Sequence, residues 1–245
     1  MPPPALHVLM TREEIDPARL LRHARVVVVL DVLFATTSIV HALASGATGV
    51  WPARDADEAQ RIASTLPAPL LAGERRIQAL PGFGPATPVA LAQQAPAGRP
   101  LVYCTTNGTV ALRQVEAATA VYAGALTNGA ALAAHITSVH AGLPVLLVCA
   151  GSAGSFNLED FYGAGHLLRH LLARADYSLT DAARAARLFG ADADPLTILR
   201  EARVGRLMQR YRLDDEVACA ARLDAEAIVP RLFGDHLRHA APGDL

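Results

Sequence analysis

An α/β fold, with mixed or mostly parallel sheets flanked by helices and two compact lobes, is what three observations on the sequence predict. Short apolar runs alternate with stretches of helical period, the pattern left by a sheet that carries helices on its faces. The 245 residues suit one large or two small α/β units, taken here as one domain over 1–245 with lobes near 1–125 and 126–245. Apolar residues make up 52% of the chain and charged residues 18%, so there is material for a sizeable core and none of the bias of a disordered, solvated chain.

The elements follow in order. Residues 6–10 form a first short strand. Residues 25–31 are a continuous valine-rich run, as in a strand buried on both faces, and 35–44 follows with Ile39, Val40 and Leu43 at helical spacing. A strand at 47–51, a helix at 55–66 and a strand at 69–72 repeat the rhythm. The stretch 73–88 has no clear period, and its glycines and prolines mark a long loop. The alternation restarts with a strand at 99–106, a helix to about 116, a strand at 119–126 and a helix from 127 to 140. A very apolar strand at 144–151 and a helix at 158–174 complete it. Helical segments at 179–189, 195–203 and 205–211 come next, then a β-like run at 227–233 and a polar tail.

Charge and composition exclude several classes of function. Twenty-two basic residues face 23 acidic ones, and a net charge of -1 leaves no basic footprint for nucleic acid. All the basic residues are Arg, which removes lysine Schiff bases, lysine general bases and the phosphate-loop lysine. Cys104, Cys149 and Cys219 lie far apart with no Cys-x-x-Cys pair, so neither a disulfide framework nor a zinc knuckle is suggested. The opening Met1-Pro-Pro-Pro-Ala-Leu-His7 lacks a basic region followed by a long apolar run, and no stretch is long enough to span a bilayer. A cytoplasmic protein with no membrane partner is expected.

Open α/β sheets bind ligands at the carboxyl ends of their strands, where the next helix presents free N–H groups. Four such ends carry acids, amides or hydroxyls: Asp31, Glu74, Thr105 to Thr109, and Gly151 to Asp160. Asp31 alone would equally cap the next helix. Thr105-Thr-Asn-Gly-Thr109 is either an anion-binding turn or an ordinary cap with a permissive glycine. Glu159 and Asp160 stand at a helix start, where the macrodipole favours acids with or without a metal; with Asp31 and Glu74 they would supply oxygen ligands for Mg²⁺. His166 and His170 lie one helical turn apart but lack the glutamate of a zinc protease, so a solvated or interface face is expected. The cysteines read as core rather than nucleophiles, and no dinucleotide fingerprint or Gly-x-Ser-x-Gly elbow occurs.

Taken together, these blocks resemble the 2-phosphosulfolactate phosphatase family. The resemblance is carried by Asp31-Val-Leu-Phe-Ala-Thr-Thr37, Gly73-Glu-Arg75, Thr105-Thr-Asn-Gly-Thr109, Cys149-Ala-Gly151 and Leu158-Glu-Asp160. The Asp215 to Cys219 spacing and Val229-Pro230 extend it, in family order, over about 6–233. It implies the α/β fold of that family, a small acidic phosphate ester as partner, Mg²⁺ as cofactor and a homodimer. The implied reaction is hydrolysis of 2-phospho-3-sulfolactate to 3-sulfolactate and phosphate. Its catalytic residues would be Asp31, Glu74, Asn107 and Glu159, with Asp31, Glu74, Glu159 and Asp160 as metal ligands. Substrate would be held by Arg75, Thr36, Thr37, Thr105, Thr106, Gly108, Thr109 and Gly151. Direct attack of water is favoured, with an aspartyl-phosphate on Asp31 as the other route.

Two positions depart from the family pattern. Phe34 stands where the family has an arginine, and a block resembling Gly-Phe-Asp-x-Gly-Asn-Ser-Pro is reduced to Gly82-Phe-Gly-Pro-Ala-Thr-Pro88. They motivate an alternative: a family member impaired in catalysis that acts as a small-anion-binding protein.

Overall fold

In the computed structural model, which describes residues 2–241 and 244, the chain opens with β1 (Ala5–Leu9), the short helix α1 (Pro17–Arg22) and β2 (Val26–Leu30). Every residue of β2 is buried, because the sheet is covered on both faces there, and that is why its sequence does not alternate. α2 (Ala35–Ala44) follows and buries Ile39, Val40 and Leu43 as its spacing requires. β3 (Gly49–Ala53), α3 (Ala56–Ala63) and β4 (Leu70–Arg75) continue the alternation.

The expected loop at 73–88 is more ordered than its composition suggests. β4 runs on through Glu74 and turns at Arg76 and Ile77, both at positive φ, into β5 (Gln78–Ala79). Two consecutive residues of that kind are what a tight primed hairpin turn demands. The segment then ends at α4 (Pro88–Ala92), which begins on a proline, where the missing N–H costs nothing.

β6 (Pro100–Cys104), α5 (Gly108–Gln114), β7 (Ala120–Gly124), α6 (Gly129–Val139), β8 (Val145–Cys149) and α7 (Leu158–Leu172) come next. β9 (Ser178–Leu179), α8 (Asp181–Leu188), α9 (Pro195–Glu201), α10 (Arg203–Arg210) and α11 (Asp214–Ala220) follow. The chain closes with β10 (Pro230–Phe233) and β11 (His236–His239). The polar tail thus contains a strand: Gly234 at φ 62 turns the chain back so that Phe233 pairs with His236.

The fold is α/β, with a mixed, mostly parallel sheet flanked by helices. Eleven strands lie in the order β5-β4-β6-β3-β11-β10-β7-β2-β8-β1-β9. β3, β4 and β6 are mutually parallel, and so are β7, β2, β8, β1 and β9. The β10–β11 hairpin joins these blocks through one registered pair on each side, Arg231 with Tyr122 and Leu237 with Val50. A cut near residue 125 does not separate the blocks, since β8 lies between β2 and β1. Each block draws on strands distant in the chain, because parallel pairing needs crossovers. Among the described residues no helix is long and apolar enough to cross a membrane.

Candidate active site

Strand ends from both blocks open on one cavity of about 540 Å³. Asp31, Leu33, Phe34 and Ala35 enter from the end of β2, Glu74 to Ile77 from the β4–β5 turn, and Thr105 to Asn107 from the end of β6. Ser152, Ala153 and Asn157 come from the loop after β8, and Arg203, Val204, Leu207 and Tyr211 form the wall at α10. The starts of α2, α5 and α7 lie behind these residues, so the cavity is built as the strand-end rule expects.

Asp31 is nearly inaccessible, and burial pushes its carboxyl up to about 7; Glu74 and then Glu159 add like-charge repulsion. The N–H groups of Gly108 and Ala35 face the same carboxylate and pull in the opposite direction. A Cβ on Gly108 would stand 2.6 Å from Asp31 Oδ2, so that glycine lets α5 approach the acid. Gly108, expected to contact substrate, packs on Asp31 and is not among the residues that line the cavity.

The four acids proposed as metal ligands divide into two kinds. Asp160 is fully buried, with Oδ1 accepting from Val32 N at 2.9 Å and Oδ2 from Gly151 N at 3.0 Å. It clasps the turns after β2 and β8. Glu74 accepts from Ile77 N at 2.8 Å on one oxygen and from Thr106 N at 3.1 Å on the other, which ties the hairpin turn to the loop after β6. Glu159 differs from both. It is fully buried, behind the residues that line the cavity and not among them, and neither carboxylate oxygen has a hydrogen-bond partner from another residue. Burial raises its carboxyl to about 7 against the pull of its own backbone N–H and, more weakly, of Arg203 and Arg206.

An unpartnered buried carboxylate beside a second buried acid is what a cation offsets. Mg²⁺ needs only one or two carboxylates plus water and substrate oxygen, so Asp31 and Glu159 fit it. The four-acid set does not converge: among the described residues, the group of three with donor atoms all within 4.8 Å is His166, His170 and Asp224.

The turn after β6 divides similarly. Thr109 Oγ1 accepts from Thr105 N and donates to Thr105 O, both at 3.0 Å, so this pair caps α5 locally. Asn107 makes no side-chain cap; it lines the cavity with a buried Oδ1 that has no partner. Thr36 and Thr37 are fully buried and hydrogen-bond to Asp31 O and Val32 O, holding the turn into α2. Thr36, Thr37, Thr109 and Gly151, expected to contact substrate, stand outside the cavity wall, where their hydrogen bonds and backbone support the turns that line it. Arg75, Thr105 and Thr106 do line it.

The sequence reading missed Arg12, Arg76 and Arg203. Arg203 donates to Ser152 O at 3.2 Å and to Asn157 Oδ1 at 2.8 Å, and also meets the Ser152 hydroxyl, so its guanidinium is held at the rim. No local signal marks it, because its neighbours lie about fifty positions away in the chain. Cys104 and Cys149 are buried thiols whose ionisation is pushed up, Cys104 to about 11, by loss of solvent; neither is a nucleophile.

The family model described as 2-phosphosulpholactate phosphatase matches residues 9–234. The chain belongs to the 2-phosphosulfolactate phosphatase family. A Deinococcus radiodurans protein named probable 2-phosphosulfolactate phosphatase is 38% identical over 210 residues, covering 84% of this chain and 87% of the relative. Proteins of the same name from Parasynechococcus marenigrum and Symbiobacterium thermophilum are 37% and 34% identical, covering 83% and 84% of this chain and 87% and 90% of their own lengths.

Against the 2-phosphosulfolactate phosphatase pattern, both departures now have a place. Phe34 is 5% exposed and belongs to the main core cluster, yet one edge of it reaches the cavity wall beside Leu33. The shortened 82–88 block lies outside the wall: Ala86 O accepts from Ser38 Oγ and from the Tyr103 hydroxyl, and Thr87 Oγ1 donates to Glu216. It braces α2 and α11 rather than the ligand.

Proposed function

We propose that this chain hydrolyses a small acidic phosphate monoester, 2-phosphosulfolactate or a close relative, in a magnesium-dependent reaction in this cavity. The observation that carries the reading is Glu159, fully buried at the start of α7 with no hydrogen-bond partner from any other residue and close enough for its charge to bear on Asp31. Asp31 and Glu159 would hold Mg²⁺, which when bound offsets the charge of the phosphoryl oxygens and of the two carboxylates. Asn107 lines the cavity, where its Nδ2–H₂ would donate to a phosphoryl oxygen and its unpartnered Oδ1 would accept from water or face the cation. Arg203, fixed by Ser152 and Asn157, and Arg75 and Arg12 at the wall supply guanidinium groups for the remaining anionic charge. Leu33, Phe34, Val204 and Leu207 keep bulk water away from the ester. The buried thiols and the lack of lysine leave attack by water as the simplest route.

Phosphate release from 2-phosphosulfolactate and from neutral-tailed monoesters, with Mg²⁺ and with chelator, tests this. Mg²⁺-dependent release from the acidic ester is expected, with kcat/KM lowered about 10–100-fold in Arg203→Met, the worth of one charged hydrogen bond. Tight phosphate binding with no turnover of any ester would leave a small-anion-binding protein instead.

A further inference from the structure

Away from the cavity, three metal-ligating side chains converge. His166 and His170 lie one turn apart on α7, and both direct Nε2 at the carboxylate of Asp224, His166 to Oδ1 at 3.1 Å and His170 to Oδ2 at 2.9 Å. We propose that His166, His170 and Asp224 form a transition-metal site of the Zn²⁺ class that clamps α7 to the start of α6. His166 is buried and both rings reach Asp224, so the pair is not a fully solvated face.

Geometry favours the metal. Ligands about 2.05 Å from a tetrahedral Zn²⁺ stand ~3.3 Å apart, within a few tenths of an ångström of both nitrogen–oxygen separations. An ion would replace the bridging protons with little movement. Two imidazoles and a carboxylate suit Zn²⁺ better than Mg²⁺, whose ligands are oxygens. The His170 and Asp224 side chains are 26% and 28% exposed, which leaves an entry path and room for water as fourth ligand.

The surroundings hold the ligands in place. Asp224 Oδ1 also accepts from Ala130 N at 2.7 Å, and Asp224 N donates to Leu126 O at 2.9 Å, so the acid is oriented by backbone on two sides. A Cβ on Gly129 would come within 2.7 Å of His166 Nε2 and 3.2 Å of Asp224 Oδ1, filling the space the ion needs. His166 is seven residues beyond Glu159 on the same helix, ~10 Å along its axis, so this is a separate site. Its metal would fix the helix that presents Glu159 without touching the reacting atoms.

The experiment is equilibrium dialysis of the full chain against micromolar Zn²⁺ with excess Mg²⁺, in an Asp31→Asn background that weakens competing binding in the cavity. One Zn²⁺ per chain is expected, with affinity lowered at least ~100-fold by His170→Gln and by Asp224→Asn. The amide of Asp224→Asn still accepts from Ala130, and circular dichroism confirms that each variant is folded. Co²⁺ in place of Zn²⁺ should give the intense visible absorption of a tetrahedral ion, lost in both variants. Absence of stoichiometric Zn²⁺, or Zn²⁺ binding unchanged in both variants, would overturn the proposal and leave a hydrogen-bonded helix cap.

Discussion

Asp31 and Asp160 belong to one buried acidic cluster and yet do opposite work. Asp160 satisfies the N–H groups of Val32 and Gly151, so Asp160→Ala leaves two buried donors unpaired and is expected to cost about 2–5 kcal/mol in urea unfolding. Asp31 is held against repulsion from Glu74 and Glu159, and Asp31→Asn removes that repulsion. Asp31→Asn should lower kcat by about two to three orders of magnitude while leaving Tm unchanged or raising it. A loss of stability in Asp31→Asn as large as in Asp160→Ala would contradict this division. The adjacent acids at 159 and 160 were legible as candidates, but which one is free and which is committed depends on loops about 130 and 10 positions away.

Helix α11 illustrates a device that spans distant elements. Its Glu216 is buried and accepts from Val89 N at 2.7 Å, Ala90 N at 3.0 Å and the Thr87 hydroxyl at 2.6 Å, so it caps α4 from outside. Glu216→Ala is expected to destabilise the chain by about 2–4 kcal/mol and to expose 85–92 to early proteolysis, read by urea melts and limited digestion. A change below 0.5 kcal/mol would show that water replaces the carboxylate at no cost. Helices as short as α1 and α4, of six and five residues, give too few turns for a periodic signal, which is why the sequence analysis does not predict them. The long helix α7 and the buried strands β2 and β8 gave strong signals and were recovered to within two residues at each end.

The molecule as a whole carries the cost of its acidic cluster, and pH reveals it. Asp31 loses its proton near its ordinary 3.8 in the unfolded chain but near 7 in the fold, and Glu159 behaves alike. Between those values the unfolded state has released protons that the folded state retains. Stability of the metal-free chain should therefore fall as pH rises from about 4 to about 7 through these groups, and Asp160, whose carboxyl burial also raises, adds to the fall in the same direction. Millimolar Mg²⁺ should recover it at pH 8 and matter little at pH 5, because an ion binding only the folded, ionised site adds stability by mass action. Thermal melts across pH with Mg²⁺ and with chelator check this; equal Mg²⁺ shifts at pH 5 and pH 8 would count against the cation between Asp31 and Glu159.

By itself the sequence determined the α/β class, the buried strands, the absence of lysine chemistry and the strand-end acids, because periodicity, composition and residue type are local properties. The order of blocks also carried the family. Tertiary structure alone decided the interleaved sheet, the placing of Arg203 beside Ser152 and Asn157, the division among Glu74, Glu159 and Asp160, and the meeting of His166 and His170 with Asp224. The physical reason is that a side chain's role follows from which partner satisfies its polar atoms once buried, and those partners arrive from strands and loops far along the chain.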